Sequence, residues 1–151
     1  MSRLSSKYEH PPERPAPPQD GPDRELASGI ICAAALVAWS DGRADPTERR
    51  HLLGVFHQHG LAERYGRRDV LAAFNNTMAD LRVRQFEAFQ AAVSQLDRLA
   101  GTPHAGPIAA AARRIALADG VIWPQEAAML QIVQDRLGLG RSRPGAVPAN
   151  P

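Results

Sequence analysis

Two stretches of the chain, WSDGRADPTE at residues 39–48 and LADGVIWPQE at residues 117–126, carry the same skeleton: Asp-Gly, three residues, Pro, one residue, Glu. The match is part of a longer one. Shifting the sequence by 78 residues lays 33–61 over 111–139 without a gap, with eleven identities in 29 positions. Ala33, Ala34 and Ala38 meet Ala111, Ala112 and Ala116; Leu52, Val55, Gly60 and Leu61 meet Leu130, Val133, Gly138 and Leu139. Alanine identities are cheap in so Ala-rich a chain, but the Asp-Gly, Pro, Glu and Gly-Leu identities are not. The sequence therefore reads as an internal duplication, two helical hairpins related by a pseudo-two-fold axis.

Each repeated residue has a local reason. Gly42 and Gly120 stop a helix, since glycine enters the left-handed conformation with no Cβ penalty. Pro46 and Pro124 restart one at its first position, where the missing N–H would have no partner anyway. Asp45 then falls at the N-cap and Glu48 at the third helical position, a variant of the capping box. The second copy has Trp123 at the cap, which offers no short acceptor, so capping accounts for Glu48 better than for Glu126.

Between the turns the apolar period is helical. Residues 24–40 are apolar almost all round and belong at the centre of the fold. Stripes at 3.6-residue spacing mark helices over 46–59 (Leu52, Val55, Phe56), 67–81 (Val70, Phe74, Met78), 82–100 (Phe86, Phe89, Val93, Leu96), 107–118 and 124–137. No window alternates with period two for long enough to make a strand. The expected fold is all-α, a compact bundle of about six or seven helices occupying residues 23–139. Residues 1–22, with their run of prolines, and 140–151 read as disordered tails, because proline fixes φ and removes a donor.

Charge and composition narrow the function. Aromatics make up 5% of a sequence that is 44% hydrophobic, so the core is built from Ala, Leu, Val and Ile. The formal net charge is +2, yet residues 23–139 hold thirteen Arg against thirteen acids. The folded part is neutral, which argues against a nucleic-acid surface. A lone cysteine, Cys32, excludes a disulfide framework and a cysteine metal cluster, and suits a reducing, cytoplasmic compartment; it reads as a small core residue. The most apolar stretch, 30–39, is well short of the ~20 residues of a bilayer span, and no secretory signal is expected. Phosphate-loop, H-E-x-x-H, G-x-S-x-G and C-x-x-C patterns are missing. His57 and His59 diverge by roughly 200° on a helix and do not share an ion. His51 stands three residues after Glu48, within reach of that turn.

The aspartates resist a purely structural account. A carboxylate at a helix C-terminus meets the negative end of the macrodipole, which is unfavourable by a few tenths of a kcal/mol. An acid there in both copies asks for a compensating partner. The turn folds the chain back, so Asp41 can converge with Glu48 and Asp119 with Glu126. Four carboxylates near a two-fold axis repel unless protonated, hydrogen-bonded or bridged by a hard cation such as Ca²⁺ or Mg²⁺. The plainer alternative is that Asp closes the turn and Glu caps the next helix with no ion bound. The seven-residue step from Asp to Glu rules out an EF-hand, which needs a loop of roughly 12 residues. A third alternative, a small metal-dependent hydrolase, needs an open cleft beside the acids.

An apolar helix running into [AS]-D-G, a short turn, then Glu opening an amphipathic helix that closes on Gly or Leu-Gly-Leu resembles the tellurite-resistance TerB family. Its relatives include the N-terminal region of a membrane-anchored DnaJ-like co-chaperone. The resemblance covers about residues 25–139 and extends to AAFNNTMADL at 72–81, similar to the Phe-Asn-bearing helix between the family's halves. It implies a non-enzymatic helical domain with a divalent cation at an acidic cluster, carried over here to Asp41, Glu48, Asp119 and Glu126. It also implies action within protein assemblies linked to tellurite and other stress resistance in bacteria, some of them recruited to the inner membrane. The second turn, VIWPQEAA, lacks the further acids of many relatives, and the family's lysines appear as arginine or alanine.

Overall fold

The computed structural model describes residues 21–42 and 46–140. Asp45, expected to be an N-cap, and both tails fall outside them, apart from Gly21, Pro22 and Gly140 at their inner edges. Six helices follow in order: α1 (Pro22–Ser40), α2 (Pro46–Gln58), α3 (Arg67–Val83), α4 (Gln85–Leu99), α5 (Ala105–Ala116) and α6 (Pro124–Arg136). The described residues contain no strand. Helix α1 starts two residues ahead of the expected boundary because Pro22 takes its first position. Helix α5 likewise begins at Ala105, with Pro107 tolerated in the first turn.

Helix α1 is the axle. Ile30, Leu36 and Val37 are fully buried, as are Ala33, Ala34, Ala35 and Ala38. It packs on α5, α3, α4 and α6. Burying each large aliphatic side chain contributes roughly 1.5–3 kcal/mol. The alanines let α5 approach closely with its own Ala109, Ala111, Ala112 and Ala116, all buried. Gly29 marks the tightest approach: a Cβ there would run into the Ile108 side chain and stand 2.9 Å from Leu99 Cδ1.

The duplication is visible in three dimensions. Exchanging α1 with α5 and α2 with α6 maps the contact α1–α6 onto α5–α2, and α1–α2 onto α5–α6, and all four contacts are made. The equivalent backbone bonds also match. Gly42 N–H donates to Trp39 O at 3.0 Å and Gly120 N–H to Leu117 O at 2.9 Å. Further along, Leu61 N–H reaches Phe56 O at 2.8 Å and Leu139 N–H reaches Gln134 O at 2.7 Å, closing α2 and α6 in the same way. Gly42 (φ 79°) and Gly120 (φ 89°) both adopt the left-handed backbone that ends the first helix of each hairpin.

Two expectations are corrected. The break between the central helices falls at Arg84 rather than after Leu81, since α3 runs two residues further. Phe86, assigned to the apolar stripe of α4, is 72% exposed. It lies in the first turn of α4, whereas Val93 and Leu96 on the same stripe are buried.

Candidate metal centre at the paired turns

The end of α1, the start of α2 and the start of α6 meet at one end of the bundle, and each delivers one acid. Asp41 follows the last residue of α1, Glu48 is in the first turn of α2, and Glu126 is in the first turn of α6. One oxygen from each carboxylate lies within 4.8 Å of the others. Glu48 is 6% exposed and Glu126 2%, the two buried charged residues among those described, while Asp41 is half-buried. Helix α1 carries Asp41 to its C-terminal turn, and the following helix starts aim both glutamates back at it.

Glu126 is held from two sides. Its Oε1 accepts the Trp123 N–H at 3.0 Å, and its carboxyl is hydrogen-bonded to Asp41. Half of a capping box therefore exists in the second copy after all; the indole of Trp123 has no acceptor with which to complete it. Burial pushes the Glu126 carboxyl above its ordinary value of 4.5, and the neighbouring Asp41 and Asp119 charges and the hydrogen bond to Asp41 push the same way. The Trp123 N–H opposes the shift. Burial and like charges both disfavour the ionised form, so this cluster favours a proton or a cation over bare negative charge.

Asp119 does not join the tight group. It is exposed and turns back on its own loop, where Oδ1 accepts the Val121 N–H at 3.1 Å. It nevertheless shares with Asp41, Glu48 and Trp123 the lining of a small cavity of about 60 Å³. A volume of that size holds an ion or one to two waters. The pseudo-two-fold is thus broken at the acids: the first copy supplies Asp and Glu, the second supplies Glu, with its Asp at the rim.

The described histidine, tryptophan and cysteine side chains take no place among the three converging acids. His51 Nδ1 lies 3.0 Å from Thr47 O, one turn back on its own helix. Trp39 is half-buried with its ring 6.1 Å from Phe89, and Trp123 stands at the cavity edge, 48% exposed. Cys32 is buried against α4, donates to Ala92 O at 3.4 Å, and has its thiol pushed up to about 12 by burial. That removes it as a nucleophile. Sequence reading missed the apolar residues around the second turn, Leu117 and Val121, both exposed. Their signal was present in the apolar run of VIW inside a turn.

Over residues 27–146 the sequence matches the family described as Tellurite resistance protein TerB. The chain belongs to the TerB family. A comparison with curated proteins gave no match, and one with solved structures gave none either. Membership places this TerB domain among tellurite-resistance-associated all-helical domains. Among the described residues of the TerB fold, no helix is long and apolar enough to cross a membrane.

Proposed function

We propose that this TerB domain is a non-enzymatic module that holds a divalent cation at Asp41, Glu48 and Glu126 and docks a protein partner within a cytoplasmic stress-resistance assembly. The observation that carries the cation reading is the convergence of three carboxylates from three helix ends within 4.8 Å, two of them buried. An all-oxygen set of this kind suits a hard ion, Ca²⁺ or Mg²⁺, with water completing its shell. Asp119 adds negative charge from the rim of the same cavity. The test is thermal melting of the full chain during Ca²⁺ and Mg²⁺ titration. Ion at about 100 times its dissociation constant adds roughly 2.7 kcal/mol to stability, and Asp41→Asn blunts the response. A melting temperature unmoved by millimolar ion removes the reading.

The second reading is a pure helical interaction module, of co-chaperone type, with no ion. The bond from Trp123 N–H to Glu126 and the hydrogen bond between Glu126 and Asp41 favour it. The hydrogen bond between Glu126 and Asp41 relieves the crowding of the acids without metal, and the same titration separates the two. A hydrolytic role finds less support. The cavity beside the acids, about 60 Å³, is far below the ~300 Å³ at which ligand pockets begin. A larger groove of about 800 Å³ lies among α1, α3 and α4, and none of the four acids lines it.

A further inference from the structure

The groove of about 800 Å³ among α1, α3 and α4 takes no part in the paired turns. Its inner lining is apolar: Ala27, Val70 and Ala92 are buried, and Ile31, Ala73 and Ala88 are half-buried. The charged residues along it, Arg24, Asp69, Asp80, Arg84 and Glu87, are exposed and of both signs. An apolar floor under a mixed rim selects an occupant by shape and apolar contact more than by charge. Three helices wall the groove, and helices satisfy their backbone N–H and C=O groups internally. An ordinary extended segment laid there would bury N–H groups that nothing in the walls can accept. A fitting segment is therefore apolar and poor in backbone donors.

The chain itself carries such a segment. Residues 11–18, PPERPAPP, hold five prolines, and proline has no N–H to leave unpaired. A polyproline helix needs no internal hydrogen bonds, and eight residues of it extend about 25 Å at about 3.1 Å each. Along α3 the groove runs from Asp69 to Arg84, about 22 Å at 1.5 Å per residue. The segment also joins the fold at the right place. Gly21 lines a second hollow, which shares Arg24, Ser28 and Gln95 with the groove. There the Gln95 amide donates to the Ser28 hydroxyl, tying α4 to α1. Only Gln19 and Asp20 separate Pro18 from Gly21. We propose that residues 11–18 lie along this groove as a polyproline helix, with Pro18 at the Arg24 end and Pro11 toward Arg84. The short tether holds them at an effective concentration of about millimolar, which favours them over the same segment of a second copy. They act as a built-in competitor for the groove. The inference goes beyond the proposed function and depends on neither its cation nor its partner half.

The test is amide NMR of the full chain carrying a nitroxide on Glu9→Cys. Cys32 is buried, with its thiol pushed up to about 12, so the label goes to the new cysteine. Docking brings the label to the Arg84 end, so amides from Asp80 to Ala88 lose intensity selectively and recover it when the nitroxide is reduced. Replacing all five prolines by serine abolishes that selectivity. Ala91→Leu fills the groove from an exposed position and abolishes it too, while amide shifts elsewhere report an intact fold. Intensity loss spread evenly over the surface, or centred on another face, overturns the proposal. So does selectivity that survives the five serines. Loss passed from a nitroxide-bearing molecule to an isotope-labelled one without nitroxide assigns the groove to a second copy and overturns it as well. None of these outcomes bears on melting in Ca²⁺ or Mg²⁺, so failure here and failure of the cation reading are told apart.

Discussion

Replacing Glu126 by glutamine isolates the electrostatic tension at the paired turns. The amide keeps the size of the side chain and an oxygen for the Trp123 N–H, and removes only the charge. Unit charges 4.8 Å apart, the outer limit of the carboxylate separations in this cluster, repel by about 3 kcal/mol at an effective dielectric constant near 20. Protonation sets a ceiling: taking a carboxyl of ordinary value 4.5 to its neutral form at pH 7 costs about 3 kcal/mol, at 1.36 kcal/mol per pH unit. Asp41 is half-exposed, so water screens part of the repulsion. Glu126→Gln is therefore expected to stabilise the ion-free protein by about 1–3 kcal/mol at pH 7, or about 4–10 °C in melting temperature.

The pH dependence has a definite sign. Folding raises the Glu126 value above 4.5, so the folded state binds the proton more tightly than the unfolded one. Its contribution to stability is complete below about 4.5 and is lost as pH rises through the folded value. The variant should thus match the wild type near pH 4 and exceed it at pH 7 in chelator, and the order should reverse in saturating Ca²⁺. Melting curves at the two pH values, with and without chelator, measure all of this. A variant less stable than wild type at pH 7 in chelator would show that the ionised carboxylate helps the fold, and repulsion among the three acids would not be what governs the cluster.

Two further predictions concern packing. The Tyr65 hydroxyl is buried with no hydrogen-bond partner, so Tyr65→Phe should raise stability by about 1 kcal/mol; a loss of that size in denaturant unfolding would mean that the hydroxyl is satisfied. Gly29→Ala improves intrinsic helix propensity, yet the new Cβ must displace the Ile108 and Leu99 side chains. A net loss of about 1–3 kcal/mol is expected, and a gain would show that the α1–α5 contact has room for a methyl group.

Much of the architecture was written locally. The 3.6-residue stripes located six helices, the prolines and the left-handed glycines located their ends, and the shift of 78 residues foretold matching turns that the backbone bonds of Gly42 and Gly120 display. These features depend on residues within one or two turns of each other, which is why the sequence carries them openly. The spacing of Asp41 to Glu48 likewise announced an acidic turn in each copy.

What the sequence left undecided depends on how separate helices cross. Four symmetric acids were in view, but only three oxygens converge, because Asp119 spends its carboxylate on the Val121 N–H of its own loop. The burial of Glu126, which shifts its proton affinity, depends on α6 packing against α1, α4 and α5, helices that the local sequence around Glu126 does not specify. Phe86 fits the apolar period of α4 as well as Val93 does, yet one is left in water and the other is buried. Periodicity sets which way a side chain points along its own helix. Whether anything stands there to meet it is settled by the other helices.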